Sequence, residues 1–117
     1  MSFEKIEVNG KNFEAEVADN FYTRAKGLSF RSEGKMLFKF SRDTTASIDM
    51  MLLSRPLYLY FMDSEGEVID VQTARPWGFD PRTWKVYSPD RPYRFLLESF
   101  EELDVEEGDS MEFSGTD

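Results

Sequence analysis

Leu57-Tyr58-Leu59-Tyr60-Phe61-Met62, then Asp63-Ser64-Glu65-Gly66-Glu67, then Val68-Ile69-Asp70-Val71 decide the fold class. Two short apolar runs, rich in aromatic and β-branched residues, flank a tight polar connection, which reads as a β-hairpin. The same pattern opens the chain, where residues 3–8 and 11–17 flank Asn9-Gly10 and Phe13, Ala15 and Val17 alternate on one face. Further strands are predicted at residues 36–38, 48–53, 84–87, 93–98 and 111–113. Pro56 marks an edge or a corner. Asp19 is suited to cap a short helix over residues 20–26, which Gly27 would end in the left-handed conformation. Residues 100–103 suit a single helical turn, and the tail at 114–117 is expected to fray. Many short strands with one short helix imply an all-β fold: a single-domain antiparallel β-barrel or jelly-roll-like sandwich over residues 1–117.

Composition narrows the chemistry. The 117 residues include 11 Phe, five Tyr and two Trp, enough bulky rings to fill one core without disulfides. Histidine and cysteine are absent, so Ser-His and Cys-His nucleophilic catalysis and soft metal ligation are excluded for this chain alone. No cofactor or metal is expected. A formal charge of -9 repels phosphate backbones and anionic bilayers unless the basic residues are segregated on one face, so neither nucleic acid nor membrane is an expected partner. Glu4, Lys5 and Glu7 interrupt any apolar leader core, and the longest apolar run, residues 57–62, is too short to cross a bilayer as a helix. A soluble, cytoplasmic protein is the expectation, which the lack of cysteine also suits.

Arg24, Gly27-Leu28, Arg31, Met36-Leu37-Phe38, Phe40, Met50, Pro56-Leu57, Phe61, Asp63, Gly66, Val68, Tyr87-Ser88, Tyr93, Glu98 and Gly108-Asp109 occur in an order that resembles the family catalogued as domain of unknown function 192. The likeness spans roughly residues 8–113. It implies a compact β-barrel or jelly-roll-like sandwich, often behind a secretion signal in bacterial members, and no established reaction. Members typically follow the methionine matching Met50 with Lys-Asn-Thr, and the Pro-Leu pair with Asp. Met51, Leu52, Leu53 and Tyr58 stand there in this chain, and Asp49 replaces an indole-bearing position. Either a family site has been lost or rebuilt, or these positions face a core or an interface.

Other constellations have ordinary explanations beside them. Asp49, Asp63, Asp70 and Asp80 are candidates for paired-carboxylate chemistry, although acids at strand ends commonly serve turns and caps. The acidic residues between 101 and 109 lack the ligand spacing of a calcium loop and read as a solvated face. Arg24 and Arg31 flank Gly27 and can build an anion pocket, or pair with neighbouring acids. Met36, Met50 and Met51 read as core.

Residues 73–92 differ from the rest, with four of the five prolines. Within them Arg75, Trp77, Phe79, Arg82, Trp84 and Tyr87 combine interface-prone side chains with the stiffness of Pro76 and Pro81. The rings either meet a partner or tuck into the barrel mouth to cover the core. The reading adopted is a non-enzymatic binding module that contacts a small molecule, glycan or protein through Arg75, Trp77, Arg82, Trp84 and Tyr87, with Arg24 and Arg31 as further ligand-binding candidates. An enzyme using carboxylates and arginines on a sugar or nucleotide derivative is the alternative. An apolar strand exposed at residues 48–53 would instead signal an oligomeric role.

Overall fold

Asn9 and Gly10, at φ 53° and 78°, turn β1 (Phe3–Val8) back onto β2 (Lys11–Ala18) as the dipeptide predicts. The structure is a computed structural model and describes residues 2–18, 33–50 and 53–116. The remaining strands are β3 (Lys35–Thr44), β4 (Leu57–Met62), β5 (Val68–Ala74), β6 (Tyr93–Ser99) and β7 (Glu112–Thr116). They form one sheet in the order β5-β4-β6-β3-β2-β1-β7. Only β2 and β3 run parallel; the other neighbours are antiparallel.

The sheet curls into a half-barrel. Its two ends approach where Val68 N–H donates to Asp109 O (2.8 Å), Gly108 N–H to Val68 O (2.9 Å) and Met111 N–H to Gly66 O (2.9 Å). Strand alternation then sorts the apolar residues onto two faces. Ile6, Val8, Leu37, Tyr60, Met62, Val68, Leu97 and Met111 pack together on one. Met36, Phe38, Leu59, Phe61, Tyr93 and Leu96 pack on the other, where Ile48, Met50, Leu53, Trp77 and Tyr87 join them from the connecting segments.

Several expectations change. Residues 48–53 do not appear as a strand among the described residues: Ile48 makes an isolated bridge to Tyr87, and Leu53 N–H turns back to Met50 O. Met50 is nevertheless fully buried, because an apolar run can plug a sheet face without joining the ladder. The predicted strand at 84–87 is reduced to that same bridge and follows a 3₁₀ turn, Pro81–Thr83. No helical turn forms at 100–103. Instead Ser99 Oγ donates to Glu101 O (2.8 Å), and the Tyr60 hydroxyl accepts from Leu103 N–H (2.8 Å). β7 carries pairing with β1 through Thr116, into the tail expected to fray. The Asp19 cap, the 20–26 helix, Gly27, Arg24, Arg31, Met51 and Leu52 lie outside the described residues. Among the described residues no helix is long and apolar enough to cross a membrane.

Candidate functional site

β5 ends at Ala74, and the chain leaves the sheet into the loop of residues 75–87. Prolines at 76 and 81 leave the loop without a ladder of its own, so side chains supply much of its bonding. Asp80 accepts from Arg82 N–H (2.9 Å) and caps the 3₁₀ turn, where Pro81 occupies a position that needs no N–H. Thr83 Oγ1 donates to Asp80 O (2.7 Å) and accepts from Gly78 N–H (2.8 Å). Trp77 Nε1–H donates to Lys85 O (2.7 Å), and Trp84 Nε1–H to Gly78 O (2.9 Å). The loop is therefore held from within.

Its base is tied to the sheet. Ile48 and Tyr87 exchange both backbone hydrogen bonds (2.7 and 2.8 Å), and the Tyr87 hydroxyl accepts from Arg75 N–H (3.2 Å). Trp77 and Tyr87 are half-buried against the core cluster. Phe79 is fully exposed, Trp84 is 52% exposed and Val86 60% exposed. The two expectations for the rings thus divide by residue: Trp77 and Tyr87 cover the core, while Phe79 and Trp84 face outward.

The polar candidates divide too. Arg82 grips Asp80 through Nε (3.0 Å) and Nη2 (2.7 Å). The guanidinium and then the Arg82 backbone N–H hold the Asp80 carboxyl below the usual range, and Asp80 in turn raises Arg82. Arg75 and Lys85 are exposed beside the rings. Asp63 accepts from Glu65 and Glu67 N–H as a turn cap, and Asp70 accepts from Gln72 Nε2. Like Asp80, each accepts a hydrogen bond from within its own turn or strand and so serves local structure.

Glu98 is a further carboxyl, one of the residues that carry the family resemblance. It sits on the central strand β6 between Met36 of β3 and Leu59 of β4, 5% exposed. Burial, then the charge of Asp49, pushes it up to about 8. The acid within the apolar run Leu96-Leu97-Glu98-Ser99-Phe100 was the available signal. Val86, between Lys85 and Tyr87, reads in the sequence as part of a short strand, which hides its exposure.

A separate groove of about 690 Å³ lies against residues 102–106, Asp109 and Asn9. There Asp109 accepts from Glu106 N–H (2.9 Å) and Asn9 Nδ2 (3.0 Å), contacts that hold its carboxyl below the usual range. Of the acids here, Asp109 fixes the turn, while Glu102, Asp104 and Glu106 are exposed, consistent with a solvated face.

The model of the DUF192 family, described as an uncharacterized ACR, matches residues 4–113. A UPF0127 protein of Pyrococcus furiosus is 33% identical over 114 residues, covering 90% of this chain and 92% of that protein. A UPF0127 protein of Pyrococcus abyssi is 32% identical over 105 residues, 84% of each. Among solved structures, a protein of unknown function from Novosphingobium aromaticivorans superposes with a TM-score of 0.77 at 24% identity, covering 92% of this chain and 83% of that one. A putative transcription regulator from Sinorhizobium meliloti gives a TM-score of 0.75 at 20% identity, covering 96% and 92%. At such identities these structures share the fold alone.

Proposed function

From a chain that belongs to the DUF192 family, we propose a binding module that contacts a protein partner through the loop of residues 75–87 and works in the cytoplasm. The observation that carries this reading is the exposure of Phe79, Trp84 and Val86 on a loop braced by its own hydrogen bonds. Preorganised rings with few rotamers to freeze lower the ordering cost of association. Protein is favoured over sugar because hydroxyl-rich ligands need nearby donors. Both indole N–H groups are engaged within the loop, and Arg82 is engaged by Asp80. The cysteine-free composition suits the cytoplasm.

A photo-crosslinking residue placed at Phe79 in living cells tests the reading, with the same residue at exposed Lys5 as control. Discrete protein adducts at position 79 that disappear in Trp84→Ala are expected. Equal adducts at both positions, or adducts unaffected by Trp84→Ala, defeat it.

A further inference from the structure

The charge of this protein is unevenly placed. Residues 75–94 hold five basic and two acidic side chains, while the rest of the chain holds nine basic and 21 acidic ones. Within that stretch Arg82 is paired with Asp80 and Arg94 with Asp43. Arg75, Lys85 and Arg91 are exposed, and among the described residues no carboxylate lies within ion-pairing distance of them. Lys85 stands between Trp84 and Val86, two of the exposed apolar side chains. Positive charge and apolar surface therefore coincide on one loop of an otherwise acidic molecule.

On this basis we infer that the partner is a short acidic segment of another protein, carrying apolar side chains among its carboxylates. The inference rests on the loop being the contact surface. Charge complementarity selects the sign of the partner, and Phe79, Trp84 and Val86 select its apolar residues. Size follows from screening. At physiological salt a charge is felt over about 8 Å, so a short segment lying on the loop meets the local positive charge. A membrane or a nucleic-acid duplex extends past the loop and meets the net negative charge of the rest of the chain, which repels it.

Selection from an unbiased random-peptide display library against the full chain tests this, with binding of the selected synthetic peptides read by tryptophan fluorescence. Both tryptophans lie in the loop, so the signal is local. The expected peptides are net negative with aromatic or aliphatic residues. They bind on the order of tenfold more weakly to Arg75→Glu/Lys85→Glu, and weaken as salt is raised. Both substitutions fall at exposed positions, and circular dichroism verifies the fold. Neutral or basic peptides that still require Trp84 overturn the acidic partner while leaving the contact surface standing. Peptides that bind Trp84→Ala as tightly as the wild type overturn the contact surface itself. No enrichment, or a fluorescence response to phosphatidylserine vesicles or a single-stranded oligonucleotide instead, also overturns the inference.

Discussion

Trp77 and Trp84 latch one another. Their rings stack with centroids 6.0 Å apart and planes inclined by 29°, and each indole N–H bonds to the carbonyl of the residue that follows the other. The pair is reciprocal in bonding but not in burial. Trp77 packs on the core cluster, whereas Trp84 is half exposed.

That asymmetry predicts unequal costs of truncation. Trp77→Ala removes core contact as well as the stack and should destabilise by about 2–3 kcal/mol. Trp84→Ala loses the stack and one hydrogen bond and should cost about 1 kcal/mol, leaving a folded protein. Urea unfolding of the two variants measures the difference. Equal losses would mean that both rings serve the core, and the binding surface would lose its anchor.

Glu98 should make stability fall as pH rises. Its folded value of about 8 lies above its ordinary value of 4.5, so between these limits the folded state binds more protons than the unfolded state. The contribution is fully present below about 4.5 and is lost as pH climbs through about 8. Glu98→Gln keeps the shape and removes the titration, so its urea midpoint should vary less across this window. Asp80 and Asp109 are lowered; their loss of stability comes on acidification, outside the window. Parallel pH profiles for wild type and Glu98→Gln would show that Glu98 is ionised in the folded protein.

The strands that sequence periodicity identifies well are those with a partner on each side or a decisive turn. Leu57–Met62 and Tyr93–Ser99 lie inside the sheet, where continuous apolar runs are required, and Asn9-Gly10 leaves little choice of hairpin. Residues 48–53 mislead because apolarity reports burial, and Met50 is buried from a connecting segment instead of a ladder. Loop rigidity is legible from Pro76 and Pro81, but the Asp80–Arg82 pair is not. Two residues apart across a 3₁₀ turn, they meet only because Pro81 sets that turn. Trp77 packs on the same core cluster as Ile48 and Tyr87, whose bridge is a contact between segments that no local pattern specifies.

Tyr60 ties the acidic segment to the barrel. Its hydroxyl accepts from Leu103 N–H (2.8 Å) and donates to Leu103 O (3.3 Å), and burial raises its pKa. Tyr60→Phe leaves both backbone groups without that partner and should cost about 1–2 kcal/mol. Hydrogen exchange at Leu103 should accelerate more than exchange at Leu97. A uniform change at both sites would mean that the hydroxyl supports the core generally instead of holding this segment.

Gly66 tests how the curled sheet closes. It sits at φ +83°, and a Cβ there would lie 2.5 Å from the Met111 carbonyl oxygen, while its own carbonyl accepts from Met111 N–H at 2.9 Å. Relief by backbone movement would pull residue 66 from the segment leading into β7 and weaken the neighbouring bond from Val68 N–H to Asp109 O. Gly66→Ala should therefore destabilise by roughly 1–3 kcal/mol through strain and lost closure. Gly10→Ala shares the positive φ but has open space around its Cβ, so it should bear the conformational cost alone and lose less. Thermal and urea unfolding of both variants separates the two contributions. Equal losses would remove the close approach to Met111 from the account and leave backbone conformation as the whole effect.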